Sequence, residues 1–187
     1  MQEQAQFAQG PCHVVLHNAD ERLTRLRRPA CEKFSAAYIG TRSLTHIPDV
    51  LIPEVTILNG TNVKEFNKVF DKLPHFNLHY CFRRASEGSE LLVKPLTKSV
   101  TAAICHANLV TSRNVWDAVR LLGANYPFLA TDNSEEAILT AFETVKSAWG
   151  TKTWEHGLEA MARVRELTSP YALGKAVVDL GRLAGVD

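Results

Sequence analysis

The sequence predicts an α/β protein with a doubly wound, parallel, Rossmann-like sheet in a single domain that ends in a helical carboxyl-terminal third. Strand-like and helix-like segments alternate from residue 34 to residue 130. This alternation is typical of a parallel sheet covered on both faces, with right-handed crossovers. From residue 133 onward the pattern is helical only. The 187 residues, 45% of them hydrophobic and 22% charged, have the size and composition of one globular domain.

Five short apolar segments carry the strand prediction. Each is rich in β-branched or aromatic residues and is bounded by turn-forming or polar residues. The segments are residues 34–40, which end at Gly40, residues 55–58, which Asn59 and Gly60 close, and residues 76–82, 109–111 and 128–130. An earlier run at residues 13–17 is also strand-like. We therefore predict an N-terminal extension with a short strand over residues 1–33 and the sheet domain over residues 34–187.

The helices between the strands are predicted from periodicity. Residues 62–73 place apolar side chains at helical spacing with charged residues opposite, which is typical of a helix that covers a sheet. Further helices are expected over residues 97–107 and 114–122, and a short one is expected over residues 44–51.

The carboxyl-terminal helices are predicted from their end signals. Asn133 with Glu136 three residues later resembles a capping box, and Gly150 follows the expected end of that helix at residue 149. A second helix is expected over residues 151–167. The Ser169-Pro170 pair then suits the N-cap and first position of a last helix.

Charge and composition exclude several partners. There are 21 Lys and Arg residues against 20 Asp and Glu residues, so no overall basic field would attract nucleic acid. No apolar run approaches the ~18–20 residues that a membrane-spanning helix needs. The N-terminus lacks the pattern of a signal peptide, and the cysteines are widely separated. A cytoplasmic location and no metal centre are therefore expected.

The sequence lacks the motifs that characterise several classes of enzyme. The chain has neither G-x-G-x-x-G after a strand nor G-x-x-x-x-G-K-[ST], so a dehydrogenase or a P-loop protein is disfavoured. The pairs His13/His17 and His75/His79 lie in strand-like runs without a third ligand nearby. No G-x-S-x-G motif marks a nucleophile, although a triad that assembles in space leaves a small-molecule hydrolase open.

Polar and cationic residues follow the predicted strands. Ligands of such sheets bind outside the carboxyl ends of the strands, near the point where the strand order reverses. These ends carry Gly40, Thr41 and Arg42, then Asn59 and Gly60, then Arg83 and Arg84, and finally Ser112 and Arg113. We therefore expect a cationic, glycine-containing rim at this edge of the sheet.

Two lysines, Lys94 and Lys98, flank the start of the helix predicted at residue 97. A helix N-terminus carries about half a positive charge and unpaired N–H groups, so an acidic residue is the usual choice there. An anion bound at this end would explain the lysines, with Thr97 capping the helix or donating its hydroxyl. We expect Arg83 and Arg113 to converge on this anion. The alternative is that both lysines simply point into solvent.

The same residues carry a resemblance to a known family. Residues 94–98 (KPLTK), the strand-like run 108–113 and residues 122–127 resemble the carboxyl-terminal half of GT-B fold glycosyltransferases. The resemblance runs from about residue 34 to the end and includes residues 38–40, Arg83 and the acidic helix start at residues 132–136. In that fold this half is the donor domain, which binds a nucleotide sugar.

The resemblance implies a donor diphosphate site at Lys94, Thr97, Lys98 and Arg83, with no cofactor other than the nucleotide sugar itself. Arg113 joins the site by its strand-end position, and Gly40, Thr41 and Asn59 are expected in loops near the donor. The paired glutamates of an E-x7-E motif and an acceptor domain are both lacking. Activity would therefore require an acceptor-binding partner chain or a homodimer, and no catalytic residue is assigned. The alternative is a noncatalytic interaction module that keeps the fold and docks through its helical carboxyl-terminal third.

Overall fold

The structure is a computed structural model that describes residues 15–18, 20–26, 31–60, 63–84 and 95–185. Its centre is a parallel sheet of five strands in the order β2-β1-β3-β4-β5. The strands are β1 (Ala36–Ile39), β2 (Val55–Leu58), β3 (Leu78–Cys81), β4 (Asn108–Ser112) and β5 (Leu129–Ala130). The predicted fold class, a doubly wound parallel sheet with a helical carboxyl-terminal part, is confirmed.

Seven α-helices occur in the described residues. They are α1 (Glu21–Thr24), α2 (Val63–Phe70), α3 (Thr97–Ile104), α4 (Ala118–Leu122), α5 (Glu135–Ser147), α6 (Lys152–Leu167) and α7 (Pro170–Leu183). Helix α3 packs on α6 and on strands β3 and β4, whereas α5 packs on β4 and β5.

Helices α3 and α5 cover opposite faces of the sheet. Tyr80 and Cys81 are successive residues of β3, so their side chains point to opposite faces. The Tyr80 ring lies near Phe142 of α5, with ring centroids 6.4 Å apart. Burial raises the pKa of the Cys81 thiol, and the nearby ammonium group of Lys98, on α3, acts in the opposite direction. Because both faces are covered, every residue of β4 is buried.

The structure corrects four local predictions. Residues 44–51 form no α-helix but two 3-10 turns, Arg42–Leu44 and Asp49–Leu51, because Pro48 interrupts the segment. Helix α4 begins only at Ala118, since Asp117 has the positive φ of 69°. The N-cap of α5 is Ser134 instead of Asn133, and its hydroxyl accepts the Ala137 N–H. Residues 15–17 form no strand, and residues 13 and 14 lie outside the described part.

The N-terminal part of the described chain also reaches the core. Leu23 of α1 is buried in the same apolar cluster as the sheet residues. The Arg22 guanidinium stacks over the Phe70 ring of α2, 4.3 Å from its centroid.

Tyr126 joins the amino end of β4 to the core through its hydroxyl. That hydroxyl donates to the Leu109 carbonyl at 2.7 Å and accepts the Leu109 N–H at 2.9 Å. Burial raises the pKa of Tyr126, so the hydroxyl remains protonated and can donate. One side chain thus satisfies both backbone groups of a fully buried residue.

Removing this hydroxyl in Tyr126→Phe is expected to lower the free energy of unfolding by about 1–3 kcal/mol, because two buried backbone groups lose their partner. Urea unfolding measures the change. Tyr171→Phe is the matched control, since Tyr171 is 83% exposed and its replacement should have no measurable effect. A loss of stability that is the same in both variants would contradict the assigned role of Tyr126.

The last helix, α7, is peripheral. Ser169 caps it by accepting the Ala172 N–H at 3.2 Å, and Pro170 follows as predicted. None of the residues of α7 is buried, and its exposed apolar side chains include Tyr171, Val177, Val178 and Leu183. Among the described residues, no helix is long and apolar enough to cross a lipid bilayer.

Candidate anion-binding site

The sheet order places a crevice between β1 and β3. The chain moves outward from β1 to β2 and then returns to pair β3 with the other side of β1. The two loops that leave the carboxyl ends of β1 and β3 therefore diverge. Ligands of open α/β sheets bind at such a switch point, so the groups at these two strand ends define the candidate site.

Strands β1 and β3 separate before their carboxyl ends. They pair at Ala36 with Leu78 and at Ala37 with His79, whereas β1 and β2 remain paired as far as Ile39 with Leu58. The Gly40 N–H donates to the Leu58 carbonyl of β2, so the preceding carbonyl, that of Ile39, faces the β3 side. A backbone acceptor is thus exposed in the gap between the two strands.

Lys98 fills this gap. Its Nζ donates to the Ile39 carbonyl oxygen at 2.8 Å and lies 4.9 Å from the centroid of the Tyr38 ring. The side chain is half-buried, and it belongs to the first turn of α3. Helix α3 therefore directs the lysine across the end of β1, so the alternative that this lysine simply points into solvent is wrong.

Its surroundings make the charge of Lys98 costly. Burial lowers the pKa of Lys98, the nearby Cys81 thiol acts in the opposite direction, and the positive charge of Arg83 adds to the decrease. Because the folded pKa lies below the ordinary value of 10.5, stability should rise as the pH increases through the interval between the two. A bound anion would offset the cost of the charge at neutral pH.

The loop after β1 crosses toward β3 and brings a second cation to the site. Thr45 pairs with Arg83 in an antiparallel bridge, and the Thr45 hydroxyl donates to the Phe82 carbonyl at 2.7 Å. This crossing carries Arg42 close to Tyr38 and Tyr80. Burial raises the pKa of both phenols, and the Arg42 charge lowers it in each case.

Gly40 is required where that loop begins. Its φ of 135° is a conformation that other residues rarely adopt, and an added Cβ would lie 2.8 Å from the Tyr38 hydroxyl oxygen. The glycine that ends the predicted first strand therefore lets the ring of Tyr38 lie under the loop and beside Lys98. Arg42 was predicted for the cationic rim but not for the diphosphate site, and Tyr38 was not predicted as a site residue. Their only signal in the sequence is their position at the end of a strand.

The start of α3 has the electrostatics of an anion site. Its N-cap is Leu96, which offers no capping side chain, and its first turn contains no acidic residue. Thr97 is the exposed first residue of the helix, so it does not cap α3 as expected. Ser99 turns back to donate to the Leu96 carbonyl at 2.7 Å.

The remaining predicted residues lie at several strand ends. Arg83 is exposed, and its backbone carbonyl accepts from the Asn133 side chain at 3.3 Å. Arg113 is exposed beyond β4 and donates to the Ala124 carbonyl at 3.4 Å. Thr41 is half-buried in the β1 loop, and Asn59 is exposed beyond the edge strand β2. Lys94 lies outside the described residues, and convergence of Arg113 on the site stays a prediction.

No carboxylate neutralises these cations within the part of the chain that the structure describes. The ion pairs found there involve Arg22, Arg120, Lys146, Lys175 and Arg182, but not Arg42, Arg83, Lys98 or Arg113. In the same described residues, no group of three or more His, Cys, Asp or Glu side chains could hold a metal ion. The site therefore has the chemistry to bind an anion directly.

Comparisons with known proteins do not assign the chain to a family. The chain matches no protein-family model, and no curated protein matches it.

Proposed function

We propose that this chain is a nucleotide-sugar donor domain of the GT-B glycosyltransferase type, acting in the cytoplasm as one half of a two-domain cleft. The observation that carries the proposal is Lys98, which lies at the switch point of the sheet with Arg83 close by and no carboxylate partner in the described residues. The diphosphate of the donor is the anion that would bind there.

The positions of the groups support this assignment. A diphosphate at the start of α3 would be stabilised by the partial positive charge of the helix, while the Thr97 and Ser99 N–H groups keep their hydrogen bonds to the Pro95 and Leu96 carbonyls. Lys98 and Arg83 would supply charge-assisted hydrogen bonds, and Arg42 would add a cation from the opposite loop. During transfer the same cations would stabilise the departing diphosphate, whose charge grows in the transition state. Their role would be charge stabilisation and not proton transfer.

Nucleoside diphosphates and their sugar conjugates are expected to raise the melting temperature of the protein, because a ligand that binds only the folded state stabilises it. In titration calorimetry, Arg83→Gln should weaken nucleoside diphosphate binding by roughly threefold to tenfold, since an exposed cation contributes on the order of 1 kcal/mol. Arg163→Gln is the matched control, because Arg163 is an exposed arginine on α6. If none of the nucleoside diphosphates and sugar conjugates changes the melting temperature, the donor-domain proposal is refuted.

The isolated monomer is expected to transfer no sugar at an appreciable rate. One half of a cleft binds the donor without orienting the acceptor, and positioning accounts for about 7–11 kcal/mol of a barrier. Product analysis with radiolabelled nucleotide sugars, on fractions whose mass is fixed by light scattering, tests this expectation. Robust turnover by monomeric fractions would contradict it.

A second candidate function is a noncatalytic interaction module, and helix α7 favours it. Val177 and Val178 are 57% and 53% exposed, and Leu183 is 76% exposed, so α7 presents an apolar surface without covering the core. Such a surface suits an acceptor-binding partner chain or a second copy of the chain. This function predicts no thermal shift with any nucleotide and a loss of self-association or partner binding in Val177→Glu.

A further inference from the structure

A groove with a volume of about 380 Å³ runs between the edge strand β5 and helix α5, and none of Arg42, Arg83 and Lys98 lines it. The α5 side is built from small residues, so the groove remains open along the strand. Its lining includes Leu129, Thr131 and Asp132 on the strand side and Glu136, Ala137 and Ala141 on α5.

The backbone of β5 presents unused hydrogen-bonding groups to this groove. The carbonyls of Phe128 and Ala130 accept from Thr111 and Arg113 of β4, at 3.5 Å and 2.8 Å. Because successive residues of a strand point their N–H and C=O groups to opposite sides, those of Leu129 and Thr131 point away from β4. Among the described residues, these backbone groups make no hydrogen bond. They form the open edge of the sheet.

One end of the groove is acidic. Hydrogen bonds with the Ser134 side chain and from the Ser134 N–H, the latter at 2.7 Å, hold the pKa of Asp132 below its ordinary value. Glu136 lies in the first turn of α5 and is exposed. Neither carboxylate forms an ion pair within the described part of the chain. Both negative charges are therefore available to a ligand.

We propose that this groove binds an extended peptide segment, which adds as a strand to β5 and places a lysine or arginine side chain over Asp132 and Glu136. Leu129 and Thr131 supply the main-chain donors and acceptors of the added ladder, as in other cases of strand addition. The small side chains of Ala137 and Ala141 leave room for alternate side chains of the peptide. Pro127 has no N–H, so it limits the ladder at its amino end. The proposal is independent of nucleotide binding.

The probe is a phage-displayed library of random octapeptides, selected on the immobilised 187-residue chain. Selected peptides should have β-branched residues at alternate positions and should carry Lys or Arg. Fluorescence anisotropy of the best peptide should show about fivefold to tenfold weaker binding to Glu136→Lys, because an exposed charge pair is lost and replaced by repulsion. Glu135→Lys is the matched control: Glu135 is also exposed in the first turn of α5 but does not line the groove.

Hydrogen exchange gives a second measurement that needs no variant. A bound peptide should slow amide exchange in residues 127–132, which contain the outward N–H groups of Leu129 and Thr131, and leave β2, the other edge of the sheet, unchanged. The proposal is overturned by a selection that yields no saturable binder. It is also overturned by a binder whose affinity is the same for both lysine variants, or by unchanged exchange at β5 in the complex.

Discussion

Replacing Gly157 with alanine is expected to lower the free energy of unfolding by about 2–3 kcal/mol. Gly157 lies in the middle of α6, where the helix crosses the amino end of β4. An added Cβ would clash with the Asn108 side-chain oxygen and would lie 2.6 Å from a ring carbon of Phe128. Asn108 and Phe128 are both fully buried, so neither has solvent into which it can move.

The cost is larger than a simple clash because Asn108 is part of a hydrogen-bond network. Its side-chain amide donates to the Trp154 carbonyl at 3.1 Å, and its oxygen lies 3.4 Å from the Tyr126 hydroxyl. Displacing Asn108 would therefore strain contacts that join α6, β4 and the residues before β5. The higher helix propensity of alanine offsets only about 1 kcal/mol of this cost.

Gly174→Ala is the matched control for this prediction. Gly174 is also in the interior of a helix, but a Cβ there would have no heavy atom within 4 Å. That substitution should leave stability unchanged or raise it by up to about 1 kcal/mol. Chemical denaturation of the three proteins measures both effects. Equal stability of Gly157→Ala and the wild type would show that α6 does not approach β4 as closely as described.

The alternation of segments was enough to predict the fold class, and the run Val55–Leu58 was predicted to the residue. Errors arose where a single backbone angle decides a boundary. Nothing in the residues around Asp117 indicates its φ of 69°, which delays α4. Asn133 and Ser134 are both good caps, and the hydrogen bond from the Ala137 N–H selects Ser134.

The candidate site could be located in part from the sequence, because strand ends of a parallel sheet share one edge. Arg83 and Lys98 were predicted from that rule and from the unusual placement of lysine at a helix start. The crossing of the β1 loop to pair Thr45 with Arg83 is a long-range contact that local patterns do not encode. For this reason Tyr38 was not assigned to the site, and Arg42 was predicted only for the cationic rim. The contact of Lys98 with the Ile39 carbonyl also depends on where β1 and β3 separate.

Lys98→Met is expected to weaken nucleoside diphosphate binding by roughly tenfold or more, because a charge-assisted contact contributes on the order of 1.5–3 kcal/mol. Methionine keeps an apolar stem over the Tyr38 ring while it removes the ammonium group. Removing a cation from a helix N-terminus is by itself neutral or slightly favourable for stability. The structure gives Lys98 a 2.8 Å hydrogen bond to the Ile39 carbonyl, whose loss costs on the order of 1 kcal/mol, and removal of the costly buried charge offsets part of this loss.

Calorimetric titration and urea unfolding of the same samples separate the two effects of Lys98→Met. Lys152→Ala is the matched control, because Lys152 is the exposed first residue of α6 and likewise places a lysine at a helix start. It should bind nucleoside diphosphates as the wild type does. Added salt should weaken wild-type binding less than it would weaken an exposed ion pair, since Lys98 is half-buried. Equal affinities of Lys98→Met and the wild type, together with reduced stability, would make Lys98 a structural residue that closes the gap between β1 and β3.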